Sequence, residues 1–290
     1  MSGSVASLVR CRLQDYWALI KSLQTGLLLF SGIAGFASAR CPVTSPEAIL
    51  ALMGSLFLAI SGSTVLNMVF DRDIDSLMER TAHRPLPAGR LGVFEAAFLG
   101  VGLSGLGLLW SFQLSALYGI VVFAGLFFDV VVYTLWLKRR TPWSILWGGI
   151  SGGMPILAGR VLAVGSIDFL GLLLALAILM WIPTHIMTFG VKYQEEYVSA
   201  GVPVFPNSYG LGTTRAIIAA STVATVSIMF LVGMVLGQYW AYMAVLLILG
   251  GILMGMAAAT LIQPSLRLNS ALFKLASLFM LGALGLVVLG

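Results

Sequence analysis

The sequence predicts an all-α polytopic membrane bundle of about nine transmembrane helices, and three observations carry that prediction. Hydrophobic residues make up 59% of the 290, and the mean hydropathy of +1.02 lies far outside the range of soluble proteins. Apolar runs of roughly 20 residues, the length needed to cross about 30 Å of hydrocarbon, recur along the whole chain. The sparse charge, 9% of residues, is concentrated in a few breaks between those runs.

Cutting the runs at charges, prolines and Gly–polar breaks places spans near residues 17–38, 48–69, 93–110, 114–137, 143–162, 167–190, 216–236, 240–262 and 270–289. One bundle over residues 1–290, without a soluble domain, is the expected unit. The first span reads as retained rather than cleaved: Arg10, Arg12 and Lys21 precede or enter it, and no cleavage site follows. Lys21 and Gln24 sit in its opening turns, and Lys21 is expected to snorkel to the interface.

Loop charge sets orientation. Alternating the loops puts fourteen of the sixteen basic residues on one side and leaves Arg40 and Arg160 on the other. The positive-inside rule then gives a cytoplasmic N-terminus and an external C-terminus in the cell membrane. The net charge of +5 therefore reports topology and contact with the lipid bilayer, not nucleic acid. Cys11 and Cys41 fall on opposite sides and should not pair, and neither has metal-site spacing.

The second span runs into the densest charge in the chain, residues 67–90, NMVFDRDIDSLMERTAHRPLPAGR. If the helix continues past the membrane surface, Asn67, Asp71 and Asp75 fall at i, i+4 and i+8 on one face, with Arg72 and Asp73 elsewhere. An amide and two carboxylates in a row suit Mg²⁺, which takes one or two protein carboxylates and fills its shell with water and phosphate oxygens. Arg72, Arg80, Arg84 and Arg90 then supply guanidinium forks for a phosphate group. A solvated loop whose charges only set topology would explain the arginines but not the aligned carboxylates. Pro85, Pro87 and Gly89 end regular structure beyond it.

The fourth span ends at YTLWLKRRT, residues 133–141, a basic stop on the same side as the acidic stretch. Asp129 lies nine residues before Lys138, roughly 13 Å below that stop, with Tyr133 one turn away. A carboxylate at that depth costs about 2.5–3.5 kcal/mol on insertion scales, so it should face the bundle interior or water. Two readings stand: a neutral Asp129 hydrogen-bonded to a neighbouring helix, or a group lining an internal cavity that steers water or a proton. The fifth span contains GGISGGMP, residues 148–155, where close helix packing is a better use of glycine than phosphate binding, and Pro155 should kink the helix. The sixth span ends in HIMTFGVKYQEEYVSAGVPVFP, residues 185–206, carrying Lys192, Glu195 and Glu196 back to the charged side. His185 reads either as an imidazole facing a membrane cavity or as a packed, hydrogen-bonded imidazole. The last three spans carry few polar groups and read as packing and lipid contact.

The 67–90 stretch resembles the first acidic motif of the UbiA-type intramembrane prenyltransferases, an N-x-x-x-D-x-x-x-D core. The longer string, with MERT at 78–81 and HRPL at 83–86, is most similar to the haem branch of that family, as is the run from Tyr133 to Thr141. Met68 stands where quinone-forming branches carry an Asp directly after the Asn. In the second loop, the family's D-x-x-x-D positions correspond to Tyr193 and Tyr197, with the acids displaced to Glu195 and Glu196, a pattern similar to that of the haem branch.

That resemblance implies the UbiA-type prenyltransferase fold and a Mg²⁺-dependent enzyme acting on farnesyl diphosphate with haem B as acceptor, giving haem O. It implies Mg²⁺ on Asn67, Asp71 and Asp75, with Glu195 or Glu196 as ligands of a second ion or as solvated loop acids. Asp71, Asp75 and Lys138 become the catalytic set. Arg72, Arg80, Arg84, Lys138 and Lys192 become the diphosphate contacts, and His185, Asp129 and Tyr133 the acceptor side. The rivals are a UbiA-type transferase using an aromatic quinone precursor or lipid acceptor, and a membrane transporter. Transporters build their sites near the midplane from interrupted helices, whereas nearly all charge here lies at one surface.

Overall fold

The computed structural model describes residues 2–40 and 45–290. Within them every regular element is helical: α1 (Ser2–Leu19), α2 (Ser22–Ala37), α3 (Pro46–Phe70), two short helices α4 (Arg72–Leu77) and α5 (Glu79–Ala82), and α6 (Val93–Leu114). Next come α7 (Ala116–Leu126), which continues as a π-helical segment (Phe127–Leu137), α8 (Ser144–Val164), α9 (Phe169–Lys192), the short α10 (Gln194–Ser199), α11 (Phe205–Val235), α12 (Trp240–Ile262) and α13 (Leu266–Leu289). Eight helices among the described residues are long and apolar enough to cross a membrane, and the bent pair α1–α2 makes nine. The nine expected spans are therefore present. Cys41 lies outside the described residues, and Cys11 is exposed.

Local chemistry sets several helix starts. Ser45 caps α3 by accepting from the Ala48 N–H at 3.1 Å, with Pro46 following, where a missing donor costs nothing. Asp168 caps α9 through the Gly171 N–H at 2.9 Å, and Ser265 caps α13 through the Leu268 N–H at 3.1 Å. Two boundaries differ from the sequence reading. The first span breaks by 50° at Lys21, and α11 begins eleven residues before position 216, bridging a non-helical Gly210 (φ 79°). Apolar periodicity cannot see either, because both breaks lie in backbone dihedrals.

Small residues bring the helices together. A Cβ at Gly35 would stand 1.9 Å from the Ile156 carbonyl oxygen, and one at Gly159 would stand 1.9 Å from the Gly32 oxygen, so α2 and α8 touch backbone to backbone. Similar approaches join α3 to α6 at Gly62 and Gly107. The glycines of residues 148–155 serve packing, as expected: Gly148 faces the Tyr133 ring, and Gly149 and Gly153 face Leu179 and Ala175 of α9. At the bundle end opposite the acidic motif, the buried Arg160 binds both oxygens of Asp168 (2.7 and 2.5 Å) and Ser38 Oγ (2.9 Å). The Arg160 guanidinium holds the Asp168 carboxyl below the usual carboxylate range.

Candidate active site

The site is built where α3 leaves the bundle. The helix does not run on unbroken, because Asp71 takes φ −92° and ψ 1° and separates α3 from α4. The α-type backbone bonds nonetheless continue across it, Asp71 N–H to Asn67 O at 2.9 Å and Asp75 N–H to Asp71 O at 2.8 Å. The four-residue step therefore survives the break. Asp71 and Asp75 are 2% and 5% exposed, whereas Asp73 and Arg72 face solvent. Buried carboxylates require partners. Asp71 Oδ2 is paired with Lys138 Nζ, and Asp75 Oδ2 accepts from Arg84 Nη1 at 2.7 Å. Asp73 takes both arms of Arg139 at 2.7 and 2.6 Å, and this exposed pair holds the Asp73 carboxyl below its ordinary range.

Lys138 closes the π-helical segment, its N–H bonded to Tyr133 O at 2.8 Å, five residues back. Burial works against its ammonium, but the Tyr133 oxygen and the Asp71 and Asp75 carboxylates more than offset it and raise the Lys138 pKa above the usual lysine range. Lys138 Nζ also lies 5.7 Å from the Tyr133 ring centre.

Lys21 corrects the sequence reading. It does not snorkel outward; its Nζ donates to Asn67 Oδ1 at 3.3 Å. The reason is the bend: Lys21 adopts the left-handed conformation (φ 46°, ψ 59°) between α1 and α2, a costly state for a non-glycine residue, which turns it toward α3. Asn67 Nδ2 in turn donates to Thr134 Oγ1 at 2.8 Å.

The second loop reaches the first through Arg80. Its guanidinium lies 4.9, 5.4 and 5.9 Å from the ring centres of Phe189, Tyr193 and Tyr197, three rings at four-residue spacing from α9 into α10. The Arg80 backbone N–H meets Glu196 Oε2 at 3.3 Å. Arg80 is thus held by aromatic faces rather than by the paired carboxylates. Lys192 is exposed, 4.8 Å from the Tyr193 ring, and Glu195 and Arg72 are exposed as well. Glu195 and Glu196 gather no third acid, His or Cys among the described residues.

The acceptor-side candidates separate. Asp129 Oδ2 accepts from Ser63 Oγ of α3, a hydrogen bond to a neighbouring helix. His185 is sandwiched between Trp181 and Phe273, both at 4.4 Å, with Nδ1 3.1 Å from Ser277 Oγ of α13.

A divalent cation fits the donor set at Asp71. No ready-made cage of three acids, His or Cys exists among the described residues, but Mg²⁺ needs only one or two protein carboxylates. Asp71 Oδ1 is buried and has no hydrogen-bond partner among the described residues, an arrangement that costs energy unless something meets it. Asn67 and Asp75 lie one helical step to either side of Asp71, so their side-chain oxygens share its face.

Fold and site together define a membrane-embedded, all-helical bundle with buried carboxylates and basic side chains gathered at one mouth. The chain superposes on a structure of digeranylgeranylglyceryl phosphate synthase with a TM-score of 0.79, at 22% identity over 96% of this chain and 98% of that one. It also matches a UbiA homologue from Aeropyrum pernix K1 (TM-score 0.69, 21% identity, 90% and 98% covered). A UbiA homologue from Archaeoglobus fulgidus bound to GPP and Mg²⁺ matches with a TM-score of 0.68, at 14% identity, with 94% and 99% covered. At such identities these likenesses are of fold. The pattern of the UbiA prenyltransferase family matches residues 28–282, and the chain belongs to that family. Its relatives include the protoheme IX farnesyltransferase of Archaeoglobus fulgidus, 42% identical over 204 residues, 70% of this chain and 72% of that one. The protoheme IX farnesyltransferase of Thermofilum pendens is 35% identical over 272 residues, 92% and 95% of the two chains. The resemblance read from the 67–90 motif is thereby borne out.

Proposed function

We propose that this chain transfers the farnesyl group of farnesyl diphosphate to a vinyl group of haem B, giving haem O. The observation that carries the proposal is the pair of buried carboxylates at the bundle mouth, Asp75 paired with Arg84 of its own loop and Asp71 with Lys138 at the end of the π-helical segment, with the second oxygen of Asp71 buried and without a partner among the described residues. The relatives named protoheme IX farnesyltransferase support the choice of prenyl donor and acceptor.

Asp71 and Asp75, with the Asn67 carbonyl, are the residues that would hold Mg²⁺. When bound, the metal offsets the negative charge of the diphosphate and favours its departure. Lys138 and Arg84 sit on the same carboxylates, so they are positioned to take up the phosphate oxygens as negative charge gathers there. Lys21, held on Asn67, is a third cation at the mouth. The Tyr133 ring lies 5.7 Å from Lys138 Nζ, and below it the buried surface of the helices is largely apolar apart from the Asn67–Thr134 and Ser63–Asp129 bonds. Such a wall excludes the water that would quench an allylic cation before the acceptor's double bond reaches it. Arg80 ties the two loops across the mouth by its aromatic contacts and the Glu196 bond. The excess of basic residues in the loops on this side supports a mouth facing the cytoplasm in the cell membrane.

The test is haem extraction and mass spectrometry after expression in a host strain that lacks haem O. Appearance of haem O is the expected result. A prenylated quinone precursor or lipid without haem O would instead assign the other acceptor class.

A further inference from the structure

Three side-chain bonds between α3 and the π-helical segment form a ladder that descends from the mouth: Asp71 with Lys138, Asn67 with Thr134 at 2.8 Å, and Ser63 with Asp129. On α3 the rungs are four residues apart, so Ser63 lies about 12 Å inward of Asp71. On the facing segment they are four and five residues apart. An α-helix would swing a residue five positions away off the seam. The wider π turn, with its bonds from i to i+5, keeps Asp129, Thr134 and Lys138 in one row. Thr134 Oγ1 also donates to the Asp129 carbonyl at 2.7 Å, closing that turn from within. The π geometry thus has a specific result: it sets a carboxylate on the same seam as the diphosphate-side pair, two layers deeper.

Of the eleven acidic residues, Asp129 is the one in the middle of a span. It is half-buried, not sealed. Ser63 holds one of its oxygens, and no partner meets the other among the described residues. His185, the other titratable candidate at depth, lies between Trp181 and Phe273, packed toward α13, and has no bond to the ladder.

Resting on the farnesyl-transfer reading, we infer that Asp129 is the base that takes the proton from the water added to the acceptor, with Ser63 as its positioning residue. In that reaction the C1–O bond of farnesyl diphosphate breaks and its electron pair leaves on diphosphate. The vinyl π pair forms the new carbon–carbon bond to farnesyl C1, leaving a cation on the ring-attached carbon. A water lone pair closes on that carbon, and one water proton passes to the free Asp129 oxygen, yielding a neutral alcohol. The carboxylate later gives that proton to solvent. Diphosphate departure uses the outer rungs, and hydration uses the innermost one.

The experiment uses the full chain in lipid nanodiscs with haem B, farnesyl diphosphate and Mg²⁺, following diphosphate release and haem O in the same single turnover. Asp129→Asn keeps size and the Ser63 bond but cannot accept the proton. It should lower haem O formation about 100-fold or more, the scale of general base catalysis, while diphosphate release stays within about threefold of wild type. Prenylated haem lacking the added water should accumulate. Ser63→Ala should lower haem O about tenfold with release again preserved, which covers the case in which Asp129→Asn is poorly folded. Haem O formed by Asp129→Asn within about threefold of wild type overturns the assignment. An equal loss of release and haem O in both variants also overturns it, since that reports a structural role. Wild-type protein that releases diphosphate while prenylating a different acceptor fails the farnesyl-transfer reading itself and takes the Asp129 assignment with it.

Discussion

Lys138 Nζ occupies one oxygen of the buried Asp71 carboxylate and leaves the other, also buried, without a partner among the described residues. The two residues are 67 positions apart and come from different helices, so the pair fixes the π-helical segment against the end of α3. Under the proposed function, the unpartnered oxygen is the one that would meet Mg²⁺.

Asp71→Asn and Asp75→Asn should each cut transferase activity by 100-fold or more while the protein still inserts, because both lie buried in the mouth. Asp73→Asn should stay within about threefold, since Asp73 is exposed and bound only to Arg139 and local backbone. Initial rates on purified, monodisperse variants check this, and Asp73→Asn as the most damaging of the three would contradict it.

Arg84→Gln and Lys138→Gln should raise KM for farnesyl diphosphate about tenfold or more, with a smaller change for haem B. Each variant also leaves a buried carboxylate without its cation, at about 3–5 kcal/mol, so Tm should fall as well. Equal shifts of KM for both substrates would mark a folding defect in place of a binding one.

Lys21→Met should behave like Lys138→Gln, raising KM for farnesyl diphosphate, because Lys21 points to Asn67 and not to lipid. A Met variant with unchanged kinetics would return Lys21 to the snorkelling role. Lys21→Gly offers a contrast: it relieves the left-handed backbone at that position yet should lose the same kinetic function.

The Asn67–Asp71–Asp75 row was legible because the four-residue step survives the break at Asp71. The nine spans were legible because lipid demands long apolar runs. Which base meets which acid was not legible: Arg84 on Asp75 and Lys138 on Asp71 depend on how loops fold back, and many basic residues share that side of the membrane. Lys21 was misread because a single positive φ and a 50° bend redirect it. The π-helical segment was invisible because α and π turns bury similar apolar residues, and a run such as FFDVVVYTLWL satisfies both.

Gly159→Ala should destabilise without touching chemistry. Its Cβ would overlap the Gly32 oxygen at 1.9 Å, and overpacking of this kind costs about 1–3 kcal/mol. A lowered thermal midpoint in detergent with kcat retained below it is the expected outcome, and an unchanged midpoint would mean that α2 and α8 part easily.

Removing divalent cations with EDTA should abolish turnover, and Mg²⁺ should restore it in wild type but not in Asp71→Asn. Full activity in EDTA would remove the metal from the account.

The most direct measurement is reconstitution of the purified chain in nanodiscs with haem B, farnesyl diphosphate and Mg²⁺, each omitted in turn, with products resolved by mass spectrometry. Haem O appearing with the complete mixture alone, together with stoichiometric diphosphate, is the predicted result. Intact haem B alongside consumed farnesyl diphosphate would contradict it.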